Sequence, residues 1–209
     1  MGNTLSTPKP FEPGTTGWTA DDLDDPAVEA EWERGRYEII EGVLTTVPTA
    51  YFEAGVATVN LLFAVASHLK SAGARGGLAS GVDIIIDPSR VVRADAVYLS
   101  PEDKRRQRDA AVAAGRKDLR RTRVLVPPTL VVESISPGHE RHDEHTKRRW
   151  YAEFGVRHYW LMNPFERTLR CLTLGGGTYA DDAAGRGDEV VRPAAFPGLE
   201  IPLGDVWPE

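Results

Sequence analysis

Cysteine is almost missing from this chain. Cys171 stands alone, which excludes an intrachain disulfide and any metal site built from several thiolates. The opening MGNTLSTPKPFEPGTTGWT also lacks the apolar core of a secretory signal, so none is expected there. Met1-Gly2 with Ser6 matches a myristoylation signal only superficially. No apolar run approaches the roughly 20 residues needed to cross a bilayer, so cytoplasmic residence is the default expectation. Positive charge is in deficit: 25 Lys and Arg stand against 31 Asp and Glu, for a net charge of −6. That balance argues against a general nucleic-acid binder. No internal repeat is visible.

What is present suits a globular protein. Hydrophobic residues make up 41% and charged residues 27% of 209 positions, enough for one closed core. Residues 1–18 are rich in Pro, Gly and Thr and read as a loose tail, leaving 19–209 as a single domain. Charge is unevenly spread. Residues 21–41 hold nine acids against two arginines, whereas 104–123 hold nine bases against Asp109 and Asp118. The basic stretch is either a solvated, partly helical surface excursion or a contact for phosphate.

The pattern along the chain alternates strands and helices. Thr19 with acids after it predicts a capped helical start. Arg36 to Val47 reads as a hairpin turning at Glu41-Gly42. Val56, Val59, Leu62, Phe63, Ala66 and Leu69 recur at helical spacing over about Glu53 to Lys70. Strand-like runs follow at 82–86 and 91–99. The almost wholly apolar 129–135 suits a central strand covered on both faces, and Ser136-Pro137-Gly138 breaks it. A helix is expected from about Glu140 to Phe154, then strands at 158–162 and 168–174. Gly175-Gly176-Gly177 reads as a turn. The rest of the chain reads as turns with an apolar patch at Leu199, Ile201 and Leu203. This order predicts an α/β (α+β mixed) protein with one mixed sheet flanked by helices.

Two carboxylates stand out because each interrupts an apolar strand: Asp95 in Val-Val-Arg-Ala-Asp-Ala-Val and Glu133 in Leu-Val-Val-Glu-Ser-Ile. A buried ionised carboxylate costs several kcal/mol unless it is paired or metal-bound. Brought together, the two would suit a hard cation, Mg²⁺ or Mn²⁺. Alternatively, one faces solvent at a strand end, or Asp95 pairs with Arg93. Lys147 lies on the helix after the Glu133 strand. By its own neighbourhood it reads as a surface lysine paired with Asp143 one turn away; packed back on the strand, it would reach Glu133. His139, His142 and His145 recur every three residues. Such steps drift about 60° around a helix, so the rings diverge and make a poor metal cage. Ser134 and Ser136 lack a base and acid partner for a hydrolase triad.

The blocks Arg36-Tyr37-Glu38-Ile39-Ile40-Glu41-Gly42, Val91-Val92-Arg93-Ala94-Asp95 and Leu130 to Pro137, then Asp143-x3-Lys147-x3-Tyr151-x3-Gly155-Val156-x2-Tyr159-Trp160 and Phe196-Pro197-Gly198-Leu199, resemble the successive motifs of the Uma-two family. That family is a branch of the PD-(D/E)XK nucleases. The resemblance covers roughly residues 36–203 and implies a restriction-endonuclease-like core that cleaves DNA with Mg²⁺ or Mn²⁺. It implies that Asp95 and Glu133 are the metal-binding acids and that Lys147 is the catalytic lysine, moved from the usual place two residues after the glutamate, here Ile135. Glu38 matches a further family acid, with Glu53 as its rival. DNA contact through 104–123 and a homodimer are implied by analogy. The chain departs from the pattern at Ala94, Asn163 and Ala54, which stand where the family has Pro, Asp and His, and in the enlarged connection between the acidic strands. A non-catalytic interaction domain that retains the fold is the rival reading.

Overall fold

The computed structural model describes residues 9–49, 51–116, 118–119, 122–135 and 142–208, with the backbone alone at 142–144. The Met1-Gly2 match with Ser6, the break at Ser136-Pro137-Gly138, His139 and the expected helix start near Glu140 lie outside the described residues, as do Lys117, Arg120 and Arg121 of the basic stretch. The chain forms two compact units, Met1–Thr49 with Ile85–Arg93, and Ala50–Ile84 with Ala94–Glu209.

In the first unit a 3-10 turn (Ala20–Asp24) opens with a capping box between Thr19 and Asp22. Helix α1 (Pro26–Arg34) follows, with Asp25 accepting from the Ala27 amide and Pro26 in the first turn. Strands β1 (Tyr37–Ile40) and β2 (Val43–Thr46) pair antiparallel around Glu41-Gly42. Both turn residues have positive φ, 50° and 80°, the twist that a two-residue hairpin requires. Trp18, Leu23, Trp32, Ile39, Leu44 and Val91 form its apolar core.

The second unit begins with helix α2 (Phe52–Ser71). Strands β3 (Gly77–Asp87) and β4 (Arg90–Leu99) pair with each other, and each runs from one unit into the other. Helix α3 (Pro101–Ala113) is capped by Ser100 and Asp103. Strand β5 (Leu130–Ser134) pairs antiparallel with β4 and parallel with β6 (His158–Asn163). A π-helical turn (His142–Lys147) and helix α4 (Arg148–Phe154) connect β5 to β6. Strands β7 (Thr168–Gly175) and β8 (Thr178–Arg186) extend the sheet antiparallel, and short β9 (Val190–Val191) and β10 (Ile201–Pro202) pair beside them.

Side-chain alternation sorts the two faces of this sheet. Ala96, Tyr98, Leu130, Val132, Trp160 and Met162 share a core with Ala57, Leu61 and Val65 of α2 and with Leu199, Ile201 and Leu203. The opposite face, which carries Val97, Val131 and Tyr159, meets α4: Tyr151 lies 5.2 Å from Tyr159, ring to ring.

Three local expectations changed. The first is the loose tail over 1–18: Phe11 and Trp18 pack into the core of the first unit, and the Gly14 and Trp18 amides donate to Leu44 O and Gly42 O. Strand β8 stands where the sequence predicts turns, because TYADDAAGR has acids and alanines where a strand usually shows apolar alternation; pairing along the whole of β7 makes it a strand. The basic stretch is partly helical, as expected, because α3 runs into it from Pro101 and ends at Ala113, and its charge is partly spent inside the protein. On α3 four bases face three acids, and Arg123 pairs with Asp83 at 3.5 Å. Helix α2, 20 residues long and with a mean hydropathy of 1.4 over its most apolar 18, is long and apolar enough to span a bilayer, although the sequence shows no uninterrupted apolar run of that length.

Candidate active site

The site grows from one step in the register of β4 and β5. Val97 pairs with Val131 and Ala96 with Val132. Two residues on from Val97 and Val131, Asp95 and Glu133 therefore project from the same face of neighbouring strands. Beyond the Ala96–Val132 pair the Asp95 carboxylate accepts from the backbone amide of Ser134 at 2.8 Å. A side-chain oxygen thus takes the place of a main-chain acceptor. The amide is satisfied and the carboxylate is fixed in direction.

Glu133 is 3% exposed and Lys147, on the segment packed over the strand, is 5% exposed. Lys147 Nζ lies 3.3 Å from Glu133 Oε1. The Tyr151 hydroxyl donates to that same oxygen at 2.7 Å. Lys147 ends the π-helical turn and Tyr151 lies four residues on, so both reach down from one side of the helical segment. A π turn widens the backbone and is often found at functional sites. Gly155, with φ 95°, closes α4 in the left-handed conformation. Tyr179 braces the segment by donating to Val156 O at 2.6 Å. Burial pushes its phenol well above the usual value, so it stays a donor.

The structure thus brings Lys147 onto Glu133 rather than leaving it at the surface. The place that the standard motif gives to lysine is filled by Ile135, a buried apolar residue. Glu38 belongs to the first unit, where it is buried and accepts from the Arg93 amide at 2.9 Å; Arg93 in turn donates to Gly35 O at 3.1 Å. Glu53 is exposed in the first turn of α2. His145 is exposed, and the side chains of His142 and Asp143 lie outside the described residues. Asn163 accepts from the Phe165 and Glu166 amides at 3.1 Å and shapes the turn after β6. Ala54 and Ala94 are buried. Tyr151 is the contact that sequence reasoning passed over, although its spacing of four from Lys147 on a helix was the available signal.

No three His, Cys, Asp or Glu side chains converge among the described residues. The donor set still fits Mg²⁺ or Mn²⁺, which take oxygen ligands and bind through one or two carboxylates with water completing the shell. Asp95 and Glu133 supply two carboxylates on one sheet face, and nitrogen or sulfur ligands are not required.

This is a nuclease-like fold. A crystal structure of "a putative nuclease belonging to DUF820" from Anabaena variabilis superposes with a TM-score of 0.63 over 83% of this chain and 90% of that one, at 13% identity. The family described as "Uma2: Putative restriction endonuclease" matches residues 26–204, and the chain belongs to it. No curated protein matches the sequence.

Proposed function

We propose that the protein is a metal-dependent endonuclease that hydrolyses phosphodiester bonds in DNA, working in the cytoplasm. The observation that carries this reading is the buried Lys147–Glu133 contact of 3.3 Å, on the sheet face that also carries Asp95. An ammonium and two carboxylates on one face are what phosphodiester hydrolysis needs: anionic ligands for a cation and a fixed positive donor. Asp95 and Glu133 would hold Mg²⁺ or Mn²⁺, which lowers the pKa of bound water and offsets charge on the phosphate.

Each protein group then has a defined task. Asp95, anchored on the Ser134 amide, holds one ligand position in a fixed direction. Tyr151 and Lys147 hold the Glu133 carboxylate. Lys147 would donate a hydrogen bond that stabilises charge on a non-bridging phosphate oxygen or orients the attacking water. Lys104, Arg105, Arg106 and Arg108, exposed on α3, are the described part of the basic stretch that would meet the DNA backbone, giving salt-sensitive binding.

The test is Mg²⁺ and Mn²⁺ calorimetry on wild type and Asp95→Asn, with plasmid nicking followed in the same samples. The amide variant keeps an acceptor for Ser134 N–H but loses the charge. Binding and nicking that both disappear in the variant support the reading. Nicking that persists in Asp95→Asn rejects the assignment, and a wild type that neither binds metal nor nicks favours an interaction domain.

A further inference from the structure

Helix α2 shows two opposed apolar faces. Ala54, Ala57, Leu61 and Val65 are buried. At about 100° per residue, the opposite side carries Phe52, Val56, Val59, Phe63, Ala66 and Lys70. Phe52 is 80%, Val59 65% and Phe63 73% exposed. The intervals along this outer stripe are four, three, four, three and four residues, the spacing with which one helix meets another along a seam. An exposed apolar run of this kind marks a surface that another body covers.

We propose that the occupant is a second copy of this chain, the two α2 helices lying antiparallel across a two-fold axis. Three observations favour that partner. The interval pattern reads the same from either end, which a self-complementary contact requires. Phe63 then meets the partner's Val59, Val56 meets the partner's Ala66, and Phe52 lies along the aliphatic stem of the partner's Lys70. Charge agrees as well: apart from His68, the helix carries only Glu53 in its first turn and Lys70 in its last. Antiparallel pairing sets each acid beside the other copy's base and opposes the helix dipoles, whereas parallel pairing would set like charges together. Finally, Gly55 sits within the helix, and among the described residues a Cβ there would meet nothing within 4 Å outside the helix's own backbone. Intrachain packing therefore does not require the glycine, whereas close approach of a second helix would use it.

This surface is independent of the carboxylate site, and its test is association. Sedimentation equilibrium of the full chain across the micromolar range should give a dimer. Phe63→Glu alters an exposed side chain and so should leave the circular dichroism spectrum unchanged. It should weaken association by about 100-fold, as burying an unpaired charge at an interface centre does. Glu53→Lys should weaken it less, and adding Lys70→Glu should restore it. A monomeric wild type overturns the proposal, as does a dimer that Phe63→Glu leaves intact. A monomer that floats with phosphatidylcholine vesicles overturns it too and assigns the stripe to lipid.

Discussion

The hydroxyl of Tyr151 lies 2.7 Å from Glu133 Oε1, and both groups are buried. The bond joins α4 to the centre of the sheet and directs a carboxylate that the strand alone would leave free to rotate. Hydrogen bonds to a charged group contribute about 1.5–3 kcal/mol. Tyr151→Phe removes this one while keeping the ring against Tyr159. Divalent-metal affinity and nicking should each fall by about 10-fold or more, as is usual when the partner of a metal ligand is lost, while the fold remains. Calorimetry and nicking assays check this; unchanged metal affinity would mean that the phenol serves packing alone.

Lys147 and Glu133 should behave as a unit. Lys147→Met removes the buried ammonium beside the Glu133 carboxylate and should destabilise the protein by about 3–5 kcal/mol, measured by urea unfolding. Glu133→Gln in the same chain should recover much of that loss, because the variant pair is neutral, yet cleavage should stay absent. Additive destabilisation in the double variant would show that the two side chains do not act on each other.

Much of this was legible beforehand. The hairpin at Glu41-Gly42 and the central strand around Val131 follow from local rules that need no partner: positive φ at a tight turn, and an apolar run too short for a helix. Asp95 and Glu133 were conspicuous because charge in such runs demands an explanation. Lys147 was not, since Asp143 one turn away offers an ordinary surface pairing; only packing decides which carboxylate a flexible lysine reaches. Strand β8 was hidden for the same reason, its conformation coming from β7 rather than from TYADDAAGR. The division into two compact units depends on contacts between distant stretches and leaves no mark in composition.

His158 gives a pH dependence whose sign is fixed. Burial holds its imidazole below the usual value, with Arg157 adding to the effect, and its Nδ1 lies 3.0 Å from Thr173 Oγ1. Because the unfolded chain takes up this proton more readily, its contribution is full above the unfolded value of about 6.5 and declines as pH falls below it. Tm should therefore drop between pH 7 and 5, and His158→Gln should flatten that part of the curve. A slope unchanged by the substitution would assign the acid sensitivity to other groups.

With Ile135 packed in the core where a nuclease strand would carry its lysine, the positive charge arrives on a different element, fourteen residues from its glutamate. In a strand-borne motif, acid and base come as one rigid piece. Here they are a latch with two halves, closed only while the segment 142–154 is seated on the sheet. Unseating that segment would part Lys147 from Glu133, so the docking of one short helix holds the charged pair together.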